Sequence, residues 1–337
     1  MGQGVSAQAE SKMKKLQSKF RKTGILMGVV SGLTYGIYST LVGVAGAKDP
    51  FLSASAKNTL MSALAVALVT CGLNDLFAGI WLLISNAKNG KLAEIPRSLN
   101  TFPGKIIVIA SLLGGPIVNG AYLLGISTAG ASAIPISATC ALFGALFAWI
   151  FLKQKPTIRI VFGMLICVAG AVIINLVKPE GASNFTLGII CAFIAAICWG
   201  LEGTISSFGG AILDCDVAVN IRELVSGLSI LIVVVPIIRA TGLLGKAITS
   251  PSPMMWLVLS GLSASAAYLT WYKANSMVGC AIGMSLNVTY AFWGVALSVL
   301  FLGTKLTPTM AIGCLVIIIG AITVTMNPLD FLKKGEQ

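Results

Sequence analysis

The sequence predicts an all-α integral membrane protein with ten transmembrane helices, arranged as two inverted repeats of five helices each. An extreme apolar composition and a pattern that recurs in both halves of the chain carry this prediction. Of the 337 residues, 56% are hydrophobic and only 10% are charged, whereas a soluble domain carries about 25% charged residues. The mean hydropathy is +0.93. A chain of this composition is suited to lipid rather than to water.

Ten apolar segments follow one another, and each is close to the roughly 20 residues that a helix needs to cross a bilayer. They are predicted at 24–46, 60–84, 105–126, 131–152, 158–177, 186–208, 218–240, 255–275, 280–302 and 309–326. Charged breaks that contain proline separate several of them, as at Lys48-Asp49-Pro50. Helices are expected because open strands do not occur in lipid and the segments lack the alternation of a membrane barrel.

This pattern divides the chain into four parts. Residues 1–23 are predicted as a basic cytoplasmic tail, 24–177 and 186–326 as the two five-helix repeats, and 327–337 as a cytoplasmic C-terminal tail. If both termini are cytoplasmic, sixteen Lys and Arg residues fall inside and six outside, as the positive-inside rule requires. We therefore predict a multi-pass protein of the cytoplasmic membrane. The net charge of +12 is attributed to this topology and not to nucleic-acid binding.

The two halves resemble each other at matching positions. Asp75-Leu76-x-x-Gly79 in the second span matches Glu223-Leu224-x-x-Gly227 in the seventh. Because each unit has an odd number of spans, the second copy is expected to insert upside down. Inverted repeats are typical of alternating-access transporters, whose substrates bind near the midplane at the repeat interface.

Four short motifs sharpen the prediction. They are Gly114-Gly115-Pro116-Ile117, Ala196-Ile197-Cys198-Trp199-Gly200-Leu201-Glu202, Ile221-Arg222-Glu223, and Leu286-Asn287-Val288-Thr289-Tyr290 with Trp293. With the ten-span pattern, they make the chain resemble the drug/metabolite transporter superfamily of EamA type over about residues 24–327. Among its branches, the chain looks most like the LicB-type bacterial choline permeases.

The resemblance implies a secondary transporter of a small organic solute, with a cationic or quaternary amine such as choline as the first expectation. The alternative is an exporter or importer of amino acids, nucleobases or other metabolites and drugs. Trp199 and Glu202 fall on matching Trp and Glu positions of the choline branch. The chain departs from that branch at Tyr35, where Trp is usual, and near Cys140, where an aromatic residue is usual.

Four ionisable residues lie within spans, where charge is expensive and usually functional: Asp75, Glu202, Arg222 and Glu223. Glu202 shares a helical face with Trp199, which suits a cation, although a structural hydrogen bond is the alternative. Arg222 and Glu223 are adjacent and are expected to point in different directions. Asp75, Arg222 and Glu223 are predicted as gating or ion-pair residues, with a structural lock from Arg222 to Asp75 or Glu202 equally open.

Aromatic residues complete the candidate site. An aromatic box binds quaternary ammonium ions because such ions shed water cheaply. The predicted substrate-binding residues are Tyr35, Trp199, Glu202, Asn287, Tyr290 and Trp293. Tyr290 and Trp293 are spaced i, i+3 on one face, with Asn287 on the same side. A packed aromatic core between helices is the alternative interpretation.

Several function classes are excluded or disfavoured. The chain has no histidine, which removes Ser/His/Asp and Cys/His catalysis, and no phosphate-binding Gly-x-x-x-x-Gly-Lys-Ser/Thr motif. We expect no enzymatic activity, no cofactor and no metal. An ion channel is disfavoured, because no filter-like carbonyl loop is present. The expected partners are a small-molecule substrate, a coupling proton or sodium ion, and the lipid bilayer, and a homodimer is left open.

Overall fold

The computed structural model describes residues 2–57, 59–129, 136–137, 139–174, 185–302 and 305–325. This part of the chain is helical and contains no strand. Its helices are α1 (Gly2–Gly46), α2 (Phe51–Ser55), α3 (Leu60–Lys88), α4 (Glu94–Leu99), α5 (Phe102–Leu112), α6 (Val118–Ala129), α7 (Cys140–Leu152), α8 (Ile158–Ile174), α9 (Phe185–Ile212), α10 (Cys215–Ser229), α11 (Val235–Ile237), α12 (Thr241–Ile248), α13 (Pro251–Val278), α14 (Cys280–Asn287), α15 (Tyr290–Leu302) and α16 (Pro308–Thr325).

Eight helical segments of the described chain are long and apolar enough to cross a membrane. They are Ala9–Gly46, Leu60–Lys88, Phe102–Tyr122, Phe185–Ile212, Cys215–Ile237, Pro251–Val278, Cys280–Phe301 and Pro308–Thr325. The predicted fourth and fifth spans correspond to α7 and α8, which are apolar but have only 13 and 17 residues. The all-helical membrane fold is therefore confirmed, and the count of ten spans in two inverted repeats stays a prediction. The predicted tail 327–337 lies outside the described residues.

The basic N-terminal region is continuous with the first predicted span. Helix α1 runs without interruption from Gly2 to Gly46, so the basic region and the first apolar segment form one helix. Between Lys12 and Lys22 the side chains are exposed, whereas Gly24 and Gly28 pack against the C-terminal end of α13 and against Leu286 of α14. The beginning of the predicted first span thus coincides with the point where α1 joins the bundle.

Three of the apolar segments are interrupted. A π-helical turn over Leu113–Ile117 joins α5 to α6 and contains Pro116, whose ring prevents a regular helical hydrogen bond. A second π-helical turn, Ile230–Val234, joins α10 to α11. The predicted span 280–302 is divided into α14 and α15. Such interruptions free backbone groups inside the bundle.

Helices α3 and α10 cross in a reciprocal contact that involves the two matching motifs. A Cβ added at Gly79 would overlap Leu224, and a Cβ added at Gly227 would overlap the backbone of Leu76. The two backbones approach closely because both crossing points are glycine. This contact brings Asp75 of α3 next to the Arg222 and Glu223 turn of α10.

The same reciprocity recurs elsewhere in the bundle. Gly36 of α1 packs against Trp293 of α15, as Gly200 of α9 packs against Phe143 of α7. The glycines of α8 and α16 face one another in matched pairs: Gly163 lies against Gly320, and Gly170 lies against Gly313. Helices α1, α9, α13, α14 and α15 meet around an internal cavity in the middle of this arrangement.

Candidate functional site

The internal cavity collects most of the predicted substrate-binding residues. It is lined by Tyr35, Ser137, Cys140, Trp199, Glu202, Ala267, Tyr268, Trp271, Met284, Asn287, Val288 and Tyr290. Five of the six predicted residues are in this set. The cavity has a volume of about 40 Å³, which exceeds the roughly 10–15 Å³ that one water molecule requires.

Aromatic rings form much of the cavity wall. The ring centroid of Tyr35 lies 4.5 Å from those of Tyr38 and Tyr290. Tyr268 and Trp271 meet edge to face at 5.9 Å. These rings come from α1, α13 and α15, so the wall exists only when helices from distant parts of the chain pack together.

Trp199 and Asn287 have further partners behind the wall. The Trp199 ring lies 5.3 Å from the ring of Tyr122 on α6. Asn287, the last residue of α14, donates its Nδ2–H to Ser31 Oγ at 2.7 Å. This hydrogen bond fixes the helix end to α1 at the point where the apolar segment is interrupted.

Trp293 is the predicted residue that is not part of the cavity lining. It lies beside Gly36 of α1, and its ring meets that of Phe292 at 4.9 Å. Contrary to expectation, the lining of this cavity therefore does not include Trp293 beside Trp199, Tyr35 and Tyr290, and a role of Trp293 in substrate binding stays a prediction.

The four ionisable residues within spans form one buried cluster. Arg222 Nε donates to Glu202 Oε1 at 2.8 Å, and Arg222 Nη1 donates to Glu223 Oε1 at 3.0 Å. Asp75 Oδ2 lies 3.6 Å from the same Nη1. All four side chains are at most 4% exposed. Three carboxyl groups thus surround one guanidinium in a region removed from water.

The adjacent residues Arg222 and Glu223 were expected to point in different directions, and that expectation is wrong. Their Cα–Cβ bonds diverge on α10, but both side chains are long enough to meet at their ends. Neighbouring residues do not face each other on a helix, so this contact is made between the ends of the two side chains, with Arg222 Nη1 3.0 Å from Glu223 Oε1. Arg222 therefore contacts Glu202, Glu223 and Asp75 at once.

Arg222 also contacts the cavity wall. Its guanidinium carbon lies 3.9 Å from the centroid of the Tyr268 ring, within the range of a cation–π interaction. Arg222 itself is not among the lining residues. The cluster therefore meets the cavity through Glu202 and Tyr268.

A second set of hydrogen bonds holds Asp75. Ser226 donates its Oγ–H to Asp75 Oδ2 at 2.5 Å, and Asn74 donates to Asp75 Oδ1 at 3.2 Å. Ser260 of α13 in turn donates to Asn74 at 2.7 Å. Because Asp75 has several partners besides Arg222, it depends less on the guanidinium than Glu202 does.

Some buried polar atoms of the cluster are unpaired. Among the described residues, no hydrogen-bond partner lies within reach of Glu202 Oε2, Glu223 Oε2, Arg222 Nη2 or Trp271 Nε1. Buried polar atoms are normally hydrogen-bonded, and two of these four atoms, Glu202 Oε2 and Trp271 Nε1, belong to residues that line the cavity. In the same part of the chain, no group of three or more acidic or sulfur side chains is placed to hold a metal ion.

The sequence-based set omitted several lining residues. Tyr268 and Trp271 share a face of α13 by their i, i+3 spacing, which was the available signal. Met284, Ser137 and Cys140 carry no comparable signal, because small or flexible apolar residues are common throughout such chains.

A separate charged cluster ties one end of the bundle together. Lys91 Nζ lies 2.7 Å from Asp214 Oδ2 and 2.6 Å from Asp216 Oδ2, and Lys273 Nζ lies 2.9 Å from Asp216 Oδ1. The hydrogen bonds that Lys91 donates to Asp214 and Asp216 raise the pKa of Lys91 above its usual value. These ion pairs join the α3–α4 loop, the α9–α10 loop and α13.

A second tie lies at the same end. Gln154 donates to Ser207 Oγ at 3.1 Å and accepts the backbone N–H of Cys280 at 3.1 Å. Asn86 donates to the backbone carbonyl of Asp216 at 3.2 Å. The ion pairs of Lys91 and the hydrogen bonds of Asn86 and Gln154 each link a residue before the region 175–184 to residues after it. These contacts hold the two halves of the chain together at this end of the bundle.

Over the residues that the structure describes, a helical bundle with eight segments able to cross a membrane and an aromatic-lined internal cavity beside a charged cluster define a multi-pass membrane protein. The model of the EamA-like transporter family matches residues 22–176 and again residues 186–326. The chain therefore belongs to the EamA-like transporter family, a family of transporters rather than enzymes, and the resemblance inferred from its motifs is confirmed.

Two individual proteins extend the comparison. The chain is 25% identical over 230 residues to Protein LicB of Haemophilus influenzae (strain ATCC 51907 / DSM 11121 / KW20 / Rd), a match that covers 68% of this chain and 76% of LicB. A solved crystal structure shares the fold with a TM-score of 0.67 at 17% identity, over 90% of this chain and 97% of the solved chain.

Proposed function

We propose that the protein is a secondary transporter that moves a small cationic or quaternary amine such as choline across the cytoplasmic membrane by alternating access. The observation that carries the substrate class is the Glu202 carboxylate at a cavity lined by aromatic rings. A carboxylate and several aromatic faces attract an organic cation by charge and by cation–π interactions, worth about 2 kcal/mol or more when desolvated.

The unpaired atoms of the wall favour an amine that also carries a hydroxyl group, as choline does. Glu202 Oε2 accepts hydrogen bonds and Trp271 Nε1–H donates them, and both lack a partner among the described residues. A hydroxyl group both donates and accepts. A choline-like solute would therefore give these atoms partners while its ammonium group faces Tyr35, Tyr268 and Tyr290.

The proposed architecture is ten spans in two inverted five-helix repeats with both termini cytoplasmic. The reciprocal contacts of Gly79 with Leu224 and of Gly227 with Leu76 support it, because a two-fold relation between halves produces contacts in such pairs. The two separate family matches support it as well. In this orientation the end tied by Lys91 and Asp216 faces the cytoplasm.

We further propose that a proton or a sodium ion is coupled to transport. Three carboxyl groups against one guanidinium leave excess negative charge if all are ionised, and unpaired charge away from water is costly. A coupling cation in the cluster of Asp75, Glu202, Arg222 and Glu223 would remove part of that excess.

Counterflow in proteoliposomes tests the proposal. Vesicles loaded with unlabelled choline are expected to take up labelled choline faster than empty vesicles, and the neutral isostere of choline, with carbon in place of nitrogen, should compete poorly. Equal competition by the two compounds would contradict the cation assignment. Stimulation by amino acids or nucleobases instead would favour the metabolite transporter alternative.

A further inference from the structure

We propose that Arg222 is a built-in counter-cation: it occupies the cation-binding groups Glu202 and Tyr268 in the empty transporter and leaves Glu202 when a cationic substrate binds. The inference rests on the proposed function, because it requires the transported solute to be a cation. It assigns Arg222 a role in specificity beyond that of a structural ion pair.

Arg222 satisfies the same two groups that an organic cation needs. Its Nε donates to Glu202 Oε1 at 2.8 Å, and its guanidinium carbon lies 3.9 Å from the centroid of the Tyr268 ring. Glu202 and Tyr268 both line the cavity, whereas Arg222 is not among its lining residues. A substrate ammonium that approaches Glu202 from the cavity therefore competes with the guanidinium for the same carboxylate.

The structure also provides a place for Arg222 after the exchange. Its Nη1 already lies 3.0 Å from Glu223 Oε1 and 3.6 Å from Asp75 Oδ2. Arg222 Nη2 and Glu223 Oε2 have no partner among the described residues. The pair therefore has the atoms for a second, bidentate hydrogen bond. Arg222 can release Glu202 without becoming an unpaired buried charge.

The net charge of the cluster determines which kind of ligand favours the exchange. The cluster contains three carboxyl groups and one guanidinium, all buried. A bound monocation reduces the excess of negative charge, whereas a bound anion would increase it. Since unpaired buried charge is costly, the same cluster that accepts a cation also rejects an anion. Arg222 keeps Glu202 paired while no substrate is present.

The test removes Arg222 without changing the balance of charge. The double variant Arg222→Ala/Glu223→Gln loses one charge of each sign, so the parent is its charge-matched reference, and Glu223→Gln alone, which keeps Arg222, is the control for the loss of Glu223. Calorimetric titration with tetramethylammonium under mildly alkaline conditions is expected to give at least tenfold tighter binding in the double variant than in the parent, about 1.4 kcal/mol. Guanidinium ion should compete with tetramethylammonium in the double variant and not in the control.

Equal affinity in the double variant and the parent, each monodisperse and unfolding cooperatively, would overturn the exchange. If the double variant does not fold, Arg222→Lys is the second test. It keeps the positive charge but replaces the guanidinium with a shorter side chain that pairs less well with Glu202. Its affinity for tetramethylammonium should then exceed that of the parent, and an equal or lower affinity would overturn the proposal too. A parent protein that binds tetramethylammonium no better than its neutral isostere would contradict the proposed function. Tight, guanidinium-sensitive binding in the double variant would still identify Arg222 as the occupant of a cation site.

Discussion

Gly114 lies against Glu202 so closely that a Cβ at Gly114 would overlap the Glu202 carboxylate. Gly114 belongs to the π-helical turn Leu113–Ile117, and its neighbour Gly115 approaches Ser226 in the same manner. The interrupted third span therefore leaves room for the charged cluster at the point where a regular helix of larger residues would fill it.

The first prediction follows from this contact. Gly114→Ala should lower the free energy of unfolding by about 1–3 kcal/mol, the usual cost of overpacking, and should reduce transport because the Glu202 carboxylate is displaced. Gly120→Ala is the matched control, since a Cβ there meets no described atom within 4 Å. Thermal unfolding in detergent measures both variants. A Gly114 variant as stable as the Gly120 variant would show that the π-helical turn can shift at little cost to make room for the added methyl group.

The second prediction concerns the charge of Glu202. Glu202→Gln keeps a carbonyl oxygen for Arg222 Nε and removes the negative charge. Uptake of choline should fall at least tenfold, about 1.4 kcal/mol, while detergent stability changes little. Glu94→Gln, on the exposed α4 helix, is the control. Loss of monodisperse protein in the Glu202 variant, without a specific transport defect, would favour the structural lock.

The third prediction separates the cavity wall from the packed core. Trp199→Phe should weaken binding of a quaternary amine less than Trp199→Leu, because leucine keeps bulk and loses the ring quadrupole. The same pair of substitutions at Trp293, which lies outside the cavity lining, should differ little from each other in ligand affinity. Fluorescence or calorimetric titration of the four variants gives the comparison. If the Phe and Leu variants at Trp293 differ in affinity more than those at Trp199 do, Trp293 is part of the binding site.

The fourth prediction concerns the ion pairs at one end of the bundle. Asp216→Asn removes the partner that Lys91 and Lys273 share, and ion pairs of this partly exposed kind contribute up to about 1 kcal/mol each. Opening of this end should become more frequent, by up to about thirtyfold if both pairs contribute in full. The neighbouring Cys215, half-buried beside Gly210, reports the opening through its rate of maleimide labelling, resolved by peptide mass spectrometry. Asp49→Asn serves as the control. Identical labelling rates in the two variants would show that the ion pairs of Asp216 do not hold this end of the bundle closed.

The fifth prediction concerns topology. Both termini should be cytoplasmic, as the distribution of Lys and Arg requires. A reporter fused at Gln337 should be active only in the cytoplasm, and one inserted near Gly181 should be active only outside. Activity outside the cytoplasm for the Gln337 fusion would reverse the orientation and would place the Lys91–Asp216 end outside.

Much of this organisation could be predicted from the sequence. The hydropathy pattern located the helices because lipid imposes length and apolar composition on every span. The spacing of Trp199 and Glu202 predicted a shared face, and both line the cavity. The match between Asp75 and Glu223 pointed to the helices that meet in the reciprocal contact.

The rest depended on contacts that have no local signature. No proline or glycine marks the interruption between Asn287 and Tyr290, where Thr289 Oγ1 donates to the Leu286 carbonyl at 2.6 Å. The position of Trp293 depends on how closely Gly36 lets α1 approach. The joint engagement of Arg222 by three carboxylates depends on the reach of long side chains, which adjacency in sequence does not reveal.

The charged cluster also sets an order of events during synthesis. A ribosome completes Asp75 long before Arg222, and at about 5–20 residues per second the delay is roughly seven to thirty seconds. An ionised carboxylate without a partner is costly in lipid. During this interval the nascent chain must keep Asp75 protonated or hold α3 beside the translocon until α10 emerges, so biogenesis of the first half depends on the arrival of the second.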